Sequence, residues 1–443
     1  AMGSVEQGTT VSDYAPDEIE RKSSINSSFF HAVRNNIQYQ FVDTPGYVDF
    51  IGESISAAAA VDFAVIVIDA VSGIGVGTER VWEIARKRRL PCLFFIDKLD
   101  REHVDFEKTM TDIREAFGSD AVLAGYPVGT ERTVNLLNDG VTDSLPDPHK
   151  TKAKQYFQQL VEKIAETDDT LLEKYLESGR LPRAELVPVL KNDVLEGRIF
   201  PIICGSVAKN EGIDILLSEI NEIMPSPADV QPPSAKDASG VDVTVARNSA
   251  DPLAVQVVKT MYDPYMGQIS VVRVHAGTLT GASNFVTVQT QAREKAGHVY
   301  FINGKDRMET DAAYPGDLAA VTKLKDAQTG MSLCDPRRLL TFPEPQVPTA
   351  TYSASLKPKT RADEDKVAKA LHFITAEDPT FQISRDAQTG ELVVSGLGEL
   401  HLSIIVNRIK KRFGADVELG TPKVPYRETL MRKASAQGKH KKQ

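Results

Sequence analysis

The chain has 443 residues, of which 41% are hydrophobic and 26% charged, and its net charge is −9. At roughly 100–200 residues per domain this is a chain of two to four globular domains, and the balance excludes a disordered, collagenous or disulfide-dense polypeptide. An acidic chain is a poor general binder of polyanions, so contact with nucleic acid has to come from a local basic patch. Cys92, Cys204 and Cys334 are far apart and form no CxxC pair. That usage fits a reduced, cytoplasmic compartment and argues against a zinc site. No apolar run approaches the roughly 20 residues of a membrane span, and the N-terminal stretch has no signal-peptide apolar region. Ala1-Met2-Gly3-Ser4 looks in part like a cloning remnant.

In chain order, the first third predicts strands and helices in alternation. Tyr39–Val42 reads as a short strand running into the turn Asp43-Thr44-Pro45-Gly46. The stretches 63–68, 91–96 and 200–204 are apolar on both faces, as parallel strands covered by helices are. Helical stretches at 79–88, 106–117 and 213–224 lie between or after them. Such a sheet holds ligands beyond the carboxyl ends of its strands. Residues from about 118 to 200 break the rhythm with turns and with helices at 153–167 and 169–178, and read as an inserted subdomain. The proline-rich stretch 225–234 marks a domain boundary. Beyond it, short strands at 253–261, 267–275, 284–288 and 318–321 suggest a small β-barrel. Residues 349–421 read as an α+β unit with helices at 362–377 and 398–413 and a hairpin turn at 386–390. The tail is basic.

Three strand-end motifs carry chemistry. Asp43 at the first can hold Mg²⁺ through water, and the Gly46 N–H can reach a terminal phosphate, because glycine permits close approach. Alone the motif is also an ordinary turn. Asp97-Lys98-Leu99-Asp100 resembles the guanine-reading motif N/T-K-x-D. There Asp100 accepts the N1–H and the exocyclic amine of guanine, and Lys98 lies along the base plane. Gly205-Ser206-Val207-Ala208 follows the last strand, where small residues let backbone N–H groups approach the guanine O6. The three in this order are the series expected of a GTPase domain, and by position Ser24 offers a hydroxyl to Mg²⁺. The bland alternative for Ser24 is a solvated loop serine.

The chain resembles elongation factor G and related ribosomal translocase-type GTPases. Asp43–Phe50 matches their third GTPase motif with one change. Asp263-Pro264-Tyr265-Met266-Gly267 and Ala276–Leu279 resemble their second domain, and Glu377–Phe381 and Gly396–Leu402 their third. Lys423–Thr429 and Gly438–Gln443 resemble the entry to their fourth, and Gly8–Asp13 is similar to a divergent factor-G-like subgroup, on which reading Gly3-Ser4 is native. The resemblance implies a multidomain α/β, β and α+β fold: a P-loop-GTPase-type sheet, a translation-factor β-barrel and a ferredoxin-like domain. The implied divisions are a G domain at 1–228 with its insertion at about 118–200, a linker at 229–250, domain II at 251–346, domain III at 347–421, and the start of domain IV at 422–443. It also implies GTP or GDP with Mg²⁺, a monomer, and a ribosomal partner of RNA and protein, with neither DNA nor membrane as partner. The run Lys439–Lys442 is then the better candidate for ribosomal RNA, while Arg86–Arg89 reads as a solvated helix face. Residues 396–402 are implied to be structural and ribosome-facing, with Leu400 and Leu402 in core packing.

Four departures matter. No G-x-x-x-x-G-K-[ST] occurs in the chain, so either the β-phosphate cradle and the first strand have been trimmed from a longer protein, which is the favoured reading, or nucleotide binding is lost, and the polypeptide as it stands is expected to be inactive as a GTPase. Tyr47 stands where the family has a water-orienting histidine, and a phenol with a pKa near 10 is a poor base. Asp97 stands where asparagine is usual, and an ionised carboxylate only accepts hydrogen bonds. Only the opening of a fourth domain is present, so this polypeptide is not expected to translocate tRNA. Two readings follow: a ribosome-associated GTPase acting in a translocation-like, recycling or rescue step, or a non-hydrolysing ribosome-binding factor with a degenerate G domain.

Overall fold

The computed structural model describes every residue except 1, 2, 131, 264, 265, 425, 427, 430, 434 and 443. Ala1 and Met2, Pro264 and Tyr265 of the 263–267 stretch, and Pro425, Arg427 and Gln443 of the terminal motifs therefore lie outside the described residues. The chain forms two compact units, residues 1–348 with 376–379, and residues 349–375 with 380–443.

The first unit opens with helix α1 (Pro16–Arg21) and an antiparallel hairpin of β1 (Ser28–Arg34) and β2 (Ile37–Asp43), with Ser28 opposite Asp43. Next come α2 (Ile51–Ala58), β3 (Ala64–Asp69), α3 (Val76–Lys87), β4 (Cys92–Asp97), α4 (Phe106–Phe117) and β5 (Ala121–Leu123). The hairpin of β6 (Gly125–Val128) and β7 (Arg132–Asn135) leads to α5 (His149–Ala165), α6 (Asp169–Ser178) and α7 (Arg183–Glu196). Then β8 (Phe200–Cys204) and α8 (Ile213–Ile223) close the α/β part. The parallel sheet has the order β3-β4-β8-β5. Its two inner strands are buried from Cys92 to Ile96 and from Phe200 to Cys204, which is why both read as unbroken apolar runs.

Two details differ from the sequence reading. Ala121–Leu123 belong to this sheet as its edge strand beyond β8, although the α/β rhythm breaks from residue 118 in the sequence; three residues are too few to show a period. Helix α7 has no counterpart in the reading because Pro188 sits inside it and masks the pattern. The basic run at 86–89 is exposed, as expected, and Arg86 also packs on the surface. The Arg86 guanidinium lies 5.5 Å over the Trp82 ring and 5.0 Å over Phe200, and donates to the Gly197 carbonyl at 3.2 Å. All three cysteines are buried and free; burial pushes the Cys92 thiol up to about 12 and Cys334 to about 11.

The β-rich remainder of this unit begins with β9 (Ser234–Asp237) and β10 (Asp242–Thr244). It continues with β11 (Ala254–Asp263), β12 (Gly267–Ala276), β13 (Asn284–Thr287), β14 (Ala292–Lys295), β15 (Val299–Asn303), β16 (Asp306–Glu309), β17 (Leu318–Thr322), β18 (Ser332–Cys334) and β19 (Leu340–Thr341). Eight of these strands form one antiparallel sheet in the order β14-β13-β18-β11-β12-β17-β15-β16. Period-two alternation gives it two apolar faces. Val272, Val274, Ala319 and Val321 point into its own core, while Ile269, Val271, Leu318 and Ala320 pack with Phe29 of β1. The hairpin is clipped on by the Gln40 amide, which accepts from Leu318 N at 2.6 Å and donates to Leu318 O at 3.2 Å.

A bulge in β11 has a charge consequence. Val257 pairs with Val272, but the next pairing is Lys259 with Val271, so Val258 is the extra residue. Without the bulge Lys259 would share the core-facing side of Val257. With it, the Lys259 ammonium is placed against the Glu53 carboxylate of α2, with side-chain exposures of 6% and 12%. On β12, Arg273 lies on the same face as Ile269 and Val271 and donates twice to Asp62, at 2.7 and 2.9 Å. Helix α2 is thus tied to the β-rich part near its start and just past its end.

The second unit holds β20 (Tyr352–Pro358), α9 (Arg361–Glu377), β21 (Gln382–Arg385), β22 (Leu392–Gly396), α10 (Glu399–Phe413) and β23 (Val417–Gly420), in an antiparallel sheet ordered β21-β22-β20-β23. Helical spacing explains its core: Val367, Ala370, Leu371 and Ile374 on α9, and Leu402, Ile405 and Ile409 on α10. Leu402 is buried, Leu400 is only half-buried, and His401 is buried with Nδ1 accepting from Leu397 N at 3.1 Å. No helix among the described residues is long and apolar enough to cross a membrane.

Two stability experiments follow. Lys259→Met alone strands the buried Glu53 carboxylate and should cost about 3–5 kcal/mol in denaturant unfolding. The double variant Glu53→Gln/Lys259→Met should recover most of that, and an equal loss in both would remove the ion pair from the account. His275 gives a pH dependence: burial, with Arg273 and Arg247 nearby, lowers it from 6.5 to about 3, and its Nε2 has no partner among the described residues. The unfolded chain therefore takes up a proton that the fold refuses, so this contribution is intact above pH 6.5 and is lost as the pH falls toward 3. His275→Phe, against Phe342, should flatten the loss measured by denaturant midpoints between about pH 7 and 4.5. Parallel losses in the two proteins would contradict it.

Candidate functional site

The carboxyl ends of β3, β4 and β8 carry one cluster. β4 lies between the other two, with Asp69 level with Asp97. Lys98 turns out of the strand with a left-handed φ of +67°, unusual for a side chain other than glycine. Its ammonium reaches Asp69 Oδ2 at 2.6 Å. Burial raises the Asp69 pKa, but Lys98 and the N–H groups of Val71 and Ser72 outweigh it and hold the carboxyl below its ordinary value.

The loop after β8 closes against this turn. Gly205 is required there: a Cβ would sit 2.2 Å from Glu211 O. Ser206 caps the single turn Val207–Lys209, accepting Lys209 N at 3.2 Å, and donates its hydroxyl to Asp100 Oδ1 at 2.6 Å. That bond is the main cause of the lowered Asp100 pKa. Val207 N donates to Asp97 Oδ1 at 2.8 Å. Asp97, Lys98, Asp100, Ser206, Val207 and Ala208 thus form one cluster, as the sequence order implies. Asp69 is its unanticipated member; an acid ending an apolar strand was the only signal.

The second cluster lies at the end of β2. Asp43 is half-buried, and burial, with the Asp13 carboxylate adding, raises its pKa against the Ser12 hydroxyl and the Thr44 N–H. Ser24 donates its hydroxyl to Asp13 Oδ1 at 2.7 Å. Asp13 therefore links the two candidate Mg²⁺ ligands, Ser24 and Asp43, and was missed because a loop aspartate has no sequence signature. The buried Glu18 on α1 fixes the loop behind Ser24, with Oε1 accepting from Ile25 N and Asn26 N at 3.0 Å each. Among the described residues no group of three or more His, Cys, Asp or Glu is arranged for a metal. The hard-oxygen set of Ser24 and Asp43 suits Mg²⁺, which keeps waters and uses one or two protein oxygens beside phosphate.

From Asp43 the chain passes half-buried Thr44 and buried Pro45 to Gly46 and Tyr47, both exposed. A Cβ at Gly46 would meet nothing within 4 Å, so the protein's own packing does not call for glycine. The start of α3 comes close from the other side, where a Cβ on Gly77 would sit 2.9 Å from Gly46 O. The Tyr47 side chain is 55% exposed at the head of the turn leading to α2. Glu53 ties the segment after Ser24 to the β-rich part: one oxygen pairs with Lys259 and the other accepts Ser27 N at 2.8 Å.

Comparison with known proteins agrees with this arrangement. Residues 1–226 match the family described as elongation factor Tu GTP binding domain, 252–336 elongation factor G domain 2, and 347–421 elongation factor G, domain III. Elongation factor G of Thermotoga neapolitana is 34% identical over 459 aligned residues, taking in 100% of this chain and 66% of that protein. The Thermotoga maritima factor is 33% identical with the same coverage. A crystal structure from Thermus thermophilus superimposes with a TM-score of 0.83 at 29% identity, over 96% of this chain and 64% of that one. The chain thus spans about two thirds of the length of the relatives it matches. With three successive family matches on the observed α/β, β and α+β order, the chain belongs to the elongation factor G family of translational GTPases.

Proposed function

We propose that this chain is the nucleotide-binding part of a cytoplasmic, monomeric, ribosome-associated factor that binds GTP or GDP with Mg²⁺ and couples hydrolysis to a translocation-like, recycling or rescue step. The carrying observation is the paired loop of Asp100 and Ser206, which holds a carboxylate ready for the two donors of guanine's N1/N2 edge. Asp100, Lys98 and the 206–208 loop take the base; Ser24 and Asp43 hold Mg²⁺, which would neutralise phosphate charge; the Gly46 N–H faces the terminal phosphate and Tyr47 places water. The same reading divides the chain into a G domain (1–228, insertion about 118–200), a linker (229–250), domain II (251–346), domain III (347–421) and the opening of domain IV (422–443). The relatives' name supports the ribosome as partner. A second reading, a ribosome-binding factor that does not hydrolyse, is favoured by Tyr47 and Asp97, since hydrolysis in such sites is positioning and electrostatics.

Two measurements test this. In competition binding, GDP should displace a labelled guanine nucleotide and ADP should not. Asp100→Asn should invert the preference between guanosine and xanthosine diphosphates by about tenfold or more, because its amide offers the donor that xanthine O2 needs. Equal displacement by ADP would refute guanine recognition. In longer protein carrying the phosphate loop, with ribosomes, Tyr47→His should raise GTP hydrolysis about tenfold or more, and a histidine variant no faster than its parent would sink the water-placing role.

A further inference from the structure

Asp97 stands in the seat where the resemblance expects asparagine, and the structure shows what its carboxylate does. Oδ1 accepts Val207 N–H at 2.8 Å, while Asp100, three residues later on the same turn, accepts the Ser206 hydroxyl at 2.6 Å. Two successive residues of the 206–208 loop are thus held by two carboxylates of the neighbouring loop. An amide in the first seat would accept the Val207 N–H through its carbonyl and still present an NH₂ donor. The carboxylate has only acceptors to present. Beside a purine whose other edge is engaged by Asp100, this seat faces the imidazole side, where guanine offers N7 and O6, both acceptors.

We propose that Asp97 is a positioning residue that clamps the 206–208 loop and, by replacing a donor with an acceptor, moves base recognition off N7 and wholly onto the N1/N2 edge read by Asp100. The inference rests on the guanine-site reading above. A ring nitrogen at position 7 then adds no affinity, whereas loss of the 2-amino group does weaken binding because it strips a donor from Asp100.

The test uses the longer protein carrying the phosphate loop, with GDP, 7-deaza-GDP and inosine diphosphate, in wild type, Asp97→Asn and Asp97→Ala. Wild type should bind 7-deaza-GDP at least as tightly as GDP, and inosine diphosphate about tenfold more weakly. Asp97→Asn should favour GDP over 7-deaza-GDP by about fivefold or more. Without nucleotide, Asp97→Ala should speed hydrogen exchange at the Val207 amide about tenfold, with Asp97→Asn staying near wild type. A wild type that prefers GDP to 7-deaza-GDP as Asp97→Asn does would overturn the base half, and unchanged Val207 exchange in Asp97→Ala would overturn the clamp. Failure of all three nucleotides to bind would instead refute the guanine-site reading and the base half with it, while the exchange measurement still decides the clamp.

Discussion

Helix α2 is held between two buried ion pairs, and the geometry of the first unit turns on them. Glu53 meets Lys259 near the start of the helix and Asp62 meets Arg273 just past its end, all four side chains less than 15% exposed. Burying a charge costs several kcal/mol, and a pair offsets this only when its geometry is good and its remaining atoms are satisfied. Both conditions hold here: Arg273 engages both Asp62 oxygens, and the second Glu53 oxygen takes the Ser27 N–H. These pairs specify placement more than they add stability. The turn from Asp43 to Tyr47 leads into α2, which these pairs join to β11 and, just past its end, to β12, and which the Glu53–Ser27 bond joins to the segment that bears Ser24.

The two clusters differ in their electrostatic state. In the cluster at the ends of β3, β4 and β8 each carboxylate has a donor: Lys98 on Asp69, Val207 N–H on Asp97, the Ser206 hydroxyl on Asp100. The Asp69 and Asp100 carboxyls are accordingly held below their ordinary values. The Asp43 carboxyl is instead pushed up by burial and by Asp13. One side is preorganised by the protein's own donors, whereas on the other burial, with Asp13 adding, works against the charged form of Asp43.

What the sequence made legible follows from the range of the signals. Helices α4 and α6 and the inner strands β4 and β8 have local periods or apolar runs, and each was placed within a residue or two. The site residues were legible because three loops recur in a fixed order. Glu53, Asp62, Lys259 and Arg273 were not, because an ion pair joining positions about two hundred residues apart leaves no local trace. The bulge at Val258 is equally silent: the run 253–261 looks like any buried strand, and only the pairing register shows that its parity changes. Asp13 and Glu18 were invisible for a related reason, since their roles depend on how the loop behind Ser24 folds back.

The two departures from the family pattern have different structural standing. Asp97 is integrated: its carboxylate accepts the Val207 N–H, a bond that an amide oxygen could equally accept. Tyr47 is not integrated in this way. It is exposed, heads a short turn, and neighbours a glycine that the protein's own packing does not require. A side chain so placed contributes little to the fold, and its chemistry is set by whatever approaches from outside. On the proposed reading, base selection belongs to this chain's own loops, whereas hydrolysis depends on the surface that meets Tyr47. A phenol there lacks the imidazole's proton-accepting nitrogen, so the approaching surface has to supply more of the water's orientation than it would for a histidine.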